Sequence, residues 1–208
     1  MDNKLRHYYE SIHDELHYQI EGTEYNLKIL DTIKIKLVRS LELLALKNKD
    51  SLYKLENSIG ALGTSYTLRP KFSVMNEFIN QNFISKVEND SLKTKLVAFE
   101  RWYNDLKALD DYVFIQYSET IEPYYNKKIN YASAALAYHR AGLIPGGPKT
   151  NYSLFLEDME LWNILTFKLE TTNHQITGIN KFIESMKILS TELENELGVK
   201  NGSLTIDN

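Results

Sequence analysis

The stretch Leu27-Lys28-Ile29-Leu30-Asp31-Thr32-Ile33-Lys34-Ile35-Lys36-Leu37-Val38-Arg39-Ser40-Leu41-Glu42-Leu43-Leu44 decides the fold class. Leu27, Leu30, Ile33, Leu37, Leu41 and Leu44 recur at spacings of three and four, which places one apolar stripe along a helix. Toward the N-terminus Leu5, Tyr9, Ile12 and Leu16 continue it, so the helix is expected to begin near Asn3. Gly22 interrupts this helix at a cost of ~1 kcal/mol relative to Ala, and marks either a bend or a close helix contact.

Two further stripes have the same character. After Asp90 and Ser91, the residues Leu92, Leu96, Phe99, Tyr103, Leu106, Leu109 and Val113 form the second, which Pro123 is expected to kink or end near Ile121 because proline lacks a donor. The third carries Phe155, Met159, Trp162, Leu165, Leu169, Ile176, Ile179, Ile183, Met186, Leu193 and Leu197 at heptad-like spacing, with Gly178 placed to bend it and Gly198 to terminate it.

Between the long helices the chain reads as short elements. Asp50 is positioned to cap a helix carrying Leu52, Leu55 and Ile59, which Gly60 and Gly63 end. Tyr66 to Pro70 reads as extended, since the residue before a proline is pushed out of the helical region, and Ser73 is positioned to cap a helix through Ile79. The Ala-rich segment Tyr131 to Ala141 reads as a further helix stopped by Gly142. Pro145-Gly146-Gly147-Pro148 is the clearest loop and the best candidate for a boundary. Three long stripes must bury against one another, so the expected fold is all-α: an antiparallel helical bundle of three to four long amphipathic helices, with short helices closing one end. Residues 1–198 form one domain on this reading and 199–208 a flexible tail.

Composition agrees. The 208 residues include 9 Gly and 4 Pro, about half the usual share, which disfavours turn-rich sandwiches and barrels. A formal net charge of −4 removes the broad basic surface that nucleic acid requires. With no Cys, disulfides, thiolate zinc sites and cysteine nucleophiles are excluded. The longest uncharged runs, such as Asn57 to Leu68 and Ile129 to Tyr138, fall short of the ~20 apolar residues that span a bilayer. Met1 to Arg6 is followed by no apolar run and does not read as a secretory signal.

The sharpest chemical pattern is His13-Asp14-Glu15-Leu16-His17, with two imidazoles at i and i+4 on one helical face. A zinc-protease helix has Glu directly after the first His as general base, whereas here that position is Asp14 and no third ligand is evident. Glu10 and His13 have the Glu-x-x-His spacing of carboxylate-bridged di-metal bundles, in a single copy, and Glu170 with His174 could add ligands from the last helix. Solvated polar residues on an amphipathic helix account for the same pattern. No nucleophile elbow is present, and the Gly142 to Lys149 segment lacks the Gly-Lys-Ser/Thr ending of a phosphate loop. The 14 Tyr, 8 Phe and 2 Trp serve either core packing or a pocket or partner surface.

Phe78-Ile79, Phe83-Ile84, Val87, Asn89, Leu92, Leu96 and Trp102-Tyr103 follow a pattern that resembles a family of uncharacterised Bacteroidota proteins. In that family an aromatic-containing segment leads through an apolar turn to an Asn and a Leu-rich helix ending in paired aromatics. Its members look like short single-pass membrane proteins, with a basic N-terminal tail, one transmembrane helix and a helical domain on the extracytoplasmic side. Here Asn80-Gln81-Asn82 stands where a small residue or glycine is expected, and the transmembrane helix is absent. The chain is then either a soluble part cut from such a protein or a relative without the anchor. The resemblance implies no reaction and no catalytic residue.

The sequence therefore reads as a non-catalytic binding or interaction module without cofactor, taking a protein or small-molecule partner. It is expected to reach a membrane only through a segment outside the chain, and to be extracytoplasmic if the resemblance holds and cytoplasmic otherwise. The alternative is a metal-binding bundle, a carrier or metalloenzyme, built on Glu10, His13, His17 and His174. A third reading is a structural protein whose helices pair with another chain, a second copy among the options.

Overall fold

The computed structural model describes residues 2–198, and the expected tail at 199–208 lies outside them. Among the described residues there are helices and no strand. The three stripes become α1 (Asn3–Ala45), α3 (Asp90–Gln116) and α7 (Met159–Leu197), with the short α2 (Ser73–Asn80), α4 (Glu122–Lys128), α5 (Tyr131–Ala134) and α6 (Ala137–Arg140) between them. Tight single-turn helices occupy Lys49–Asn57, Ile59–Ala61, Phe83–Lys86 and Tyr152–Phe155. The fold is an all-α helical bundle whose long helices pack antiparallel.

The chain divides into two compact units, each drawing a stretch of α1, α3 and α7. The first contains described residues 2–26, 69–107 and 178–198. There Lys187 of α7 lies 2.6 Å from Glu24 of α1 while Glu194 faces His13, so the two helices run in opposite directions. α3 is likewise antiparallel to α7: Ser91 donates to Glu192, and the Lys181 ammonium sits over the Trp102 ring. Phe72, Phe99, Tyr103 and Phe182 form one aromatic core, with Phe72 edge-on to the other three. Tyr8, Phe78 and Phe83 form another. The hydroxyl of Tyr103 ties α3 to the Pro70 carbonyl at 3.0 Å.

The second unit contains 27–68 and 108–177, so both sides of the Pro145 to Pro148 loop belong to it. Asn130 holds that loop by donating to the carbonyls of Gly146 and Pro148. Its core includes Leu30, Ile33, Leu37, Leu52, Leu55, Ile59, Leu161 and Leu165. Two polar side chains of the long helices fix the connector: Asp110 accepts from the Leu68 N–H at 3.1 Å, and Gln175 donates to the Tyr66 carbonyl at 2.9 Å.

Several local expectations need correction. Asn48, not Asp50, caps the turn at Lys49–Asn57 by accepting from the Asp50 N–H. Ser73 does not cap α2; its first free donors, the N–H groups of Val74 and Met75, go to the two carboxylate oxygens of Glu15 on α1. Arg69 is not extended but has φ 43°, although it precedes a proline. Just before Pro123 the α-helical pattern does give way, near the expected Ile121, but the chain stays helical. A wide π-turn occupies Tyr117–Ile121, with the Glu122 N–H donating to the Tyr117 carbonyl five residues back. The helix α4 then begins with the proline in its first turn, where its missing donor costs nothing. The Ala-rich helix is broken in two because Ala135 and Leu136 are extended, with ψ 146° and 150°. Met159 is exposed and Trp162 partly so, while Leu161, Ile164, Phe182 and Leu189 are buried. The buried side of α7 keeps the heptad spacing, through Leu161, Leu165, Lys168, Thr172, Gln175, Ile179, Phe182, Met186, Leu189 and Leu193. Its polar members Lys168, Thr172 and Gln175 are invisible to a reading of apolar residues, which therefore misplaces the seam at the start of the helix. α1 passes through Gly22 without a break, and a Cβ there would meet nothing within 4 Å, so no close contact explains that glycine.

Candidate functional sites

Two of the four sequence-nominated ligands come together. His13 and His17, one turn apart on α1, have ring centroids 4.5 Å apart. Ile12 and Leu16 are fully buried, which turns the adjacent face of α1 toward the end of α7. Glu194 in the last turn of α7 meets it there: its Oε1 is 3.1 Å from His13 Nε2 and 4.0 Å from His17 Nε2. One ligating atom from each of the three side chains lies within 4.8 Å of the others. The His13 side chain is 12% exposed, that of Glu194 23% and that of His17 60%, so the cluster is walled on the protein side and open on the other.

The remaining nominated residues lie elsewhere. Glu10 accepts from the Arg6 guanidinium at 3.1 Å on the exposed side of α1. His174 is exposed and belongs to the second unit, as does Glu170. Asp14, at the position of a zincin general base, is 84% exposed with its carboxylate 3.7 Å from His13 Nδ1. Glu15 is spent on the N-terminus of α2. Sequence reasoning missed Glu194, because 181 positions separate it from His13 and no local motif marks it.

The second unit carries a different feature. Tyr112, Ile115, Gln116 and Glu119 share one side of α3 and the π-turn, and with Ile164 and Phe167 of α7 they line an open cleft of about 350 Å³. Gln116 donates to Thr171 at 2.9 Å and bridges the two helices beneath it. Tyr112 is 57% exposed, Ile115 50% and Phe167 56%. Buried nearby in sequence is Lys168, whose ammonium burial pushes down to about 8. Tyr124 donates to Asp158 at 2.9 Å, and Asp158 in turn accepts from the Leu161 N–H at the start of α7. Burial first, then the Asp158 hydrogen bond, raises the Tyr124 phenol well above its ordinary range. The Tyr124–Asp158 pair ties α4 to the start of α7.

No helix among the described residues is long and apolar enough to cross a membrane. Comparison with family models, curated proteins and solved structures gives no match to this chain.

Proposed function

We propose that this chain is a non-catalytic helical module that binds a protein partner through the α3–α7 face of its second unit. The reading is carried by the half-exposed Tyr112, Ile115 and Phe167, grouped around one cleft. A soluble domain has no folding reason to gather large apolar side chains at one solvent-facing place, and such patches mark interaction surfaces. The openness of the cleft favours a protein surface over a small ligand, which needs a concave site enclosing most of its area. The exposed Glu119 adds a polar group beside these apolar side chains, the mixture that recognition patches use. On the family resemblance, the module stands on the extracytoplasmic side of a membrane and is tethered by a segment outside this chain.

The test is photo-crosslinking from position 167 in the native gene product, combined with protease protection of the producing cells. The expected result is a discrete adduct from position 167, absent from a control probe at the exposed Tyr18 and lost in a Tyr112→Ser/Ile115→Ser background. Equal, diffuse labelling from positions 167 and 18 overturns the binding face. Protection consistent only with a cytosolic protein overturns the location.

A further inference from the structure

We propose that His13, His17 and Glu194 form a binding site for one divalent transition-metal ion of the zinc class, which pins the last turn of α7 to α1. This site is independent of the α3–α7 face and of any partner bound there.

The donor set is the first argument. Two imidazole nitrogens and one carboxylate oxygen are the ligands that zinc takes when three protein groups leave a fourth position open. Imidazole with carboxylate also suits the neighbouring divalent ions, and the absence of thiolate argues against Cu(I) and iron–sulfur chemistry. Geometry is the second. Ligand atoms ~2.0–2.2 Å from a tetrahedral ion stand roughly 3.3–3.6 Å apart. The observed 3.1 Å and 4.0 Å separations from Glu194 Oε1 bracket that value. His17, the exposed member, is the side chain free to adjust, whereas His13 and Glu194 are largely buried and already 3.1 Å apart.

The surroundings supply the third argument. A ligating histidine usually directs its other ring nitrogen at a carboxylate, which fixes the tautomer and leaves the ligating nitrogen its lone pair. Asp14 stands on that side of His13, its exposed carboxylate 3.7 Å from Nδ1 and so one side-chain adjustment away from that hydrogen bond, while Nε2 faces Glu194. The open side at His17 gives the ion an entry path and leaves the fourth position to water. Glu10 takes no part, being held by Arg6.

Zinc titration into the purified chain, followed by equilibrium dialysis and by thermal unfolding, tests the site. One zinc per chain is expected, with a zinc-dependent rise in melting temperature. His17→Ala and Glu194→Gln are each expected to weaken binding at least tenfold and to abolish most of that rise. His17 is exposed, so its variant retains the fold, and circular dichroism without metal verifies this for both variants. Stoichiometric binding that survives Glu194→Gln unchanged overturns the proposal, because two histidines on α1 alone then account for it. Wild-type binding no tighter than that of His17→Ala overturns it as well.

Discussion

Gly60 lies directly against the backbone of Ala134: a Cβ placed on Gly60 would stand 2.0 Å from the Ala134 carbonyl oxygen and 3.0 Å from its carbonyl carbon. The obstacle is main chain, in a segment where Gly60, Ala134 and Ala135 are all buried, and no rotamer change relieves it. Gly60→Ala is therefore expected to destabilise the second unit by about 3 kcal/mol or more, the upper range of overpacking. Urea unfolding monitored by circular dichroism measures the loss. A change below about 1 kcal/mol contradicts the close approach of these two segments.

Glu15 offers a separate test of how α2 is anchored. Its carboxylate accepts from Val74 and Met75 at 3.0 Å each, replacing the side-chain cap that Phe72 at the N-cap position cannot provide. Glu15→Ala leaves two donors of the first turn without this partner and is expected to cost about 1–3 kcal/mol. Glu15→Gln retains one acceptor and is expected to cost less. Amide hydrogen exchange at Val74 and Met75 checks the mechanism: both should exchange faster in Glu15→Ala, with little change at amides in the middle of α2.

This pair also shows where the sequence is legible and where it is not. The stripes through Leu30, Ile33 and Leu37, and through Leu92, Leu96 and Phe99, are local periodicities whose burial follows from helix geometry, and all six side chains are buried. The cap of α2 comes from a residue 59 positions away, and the third member of the histidine cluster from 181 positions away. Nothing near Ser73 or His13 encodes those partners. At Pro123 the local rule locates the change of helical pattern, near Ile121, but not its form, a π-turn at Tyr117–Ile121 through which the chain stays helical. The apolar cleft was equally hidden, since an aromatic such as Phe167 gives the same local signal whether it packs inward or faces solvent.

Lys168 sets a pH dependence. The side chain is buried, and desolvation lowers its ammonium from 10.5 to about 8. Below pH 8 the folded and unfolded chains both carry the proton, and folding bears the whole cost of burying the charge. As pH rises from 8 toward 10.5 the folded state releases its proton first, the unfolded state holds more protons, and stability increases. Above roughly pH 10 the trend reverses, because burial raises the Tyr9 phenol to about 12 and the folded state then holds the extra proton. Lys168→Met removes the buried charge at similar volume and is expected to stabilise the protein at pH 7 by about 2–3 kcal/mol. Urea midpoints between pH 7 and 9.5 should climb for the natural chain and stay flat for the variant. A natural chain with a flat profile contradicts a buried, titrating Lys168.

At Gly22 the substitution that harms Gly60 is expected to help. Gly22 lies inside the continuous helix α1 and is exposed, and a Cβ there would meet nothing within 4 Å. Glycine in a helix interior gives up more backbone entropy on folding than alanine, and no packing or turn requirement here offsets that cost. Gly22→Ala is therefore expected to raise stability by about 0.5–1 kcal/mol. Thermal and urea unfolding of the single variant measure it, and the sum of Gly22→Ala with Glu15→Ala reports on coupling, since the two sites share no contact partner and should add. A Gly22→Ala variant that is instead less stable contradicts an unbroken, unobstructed α1 at this position.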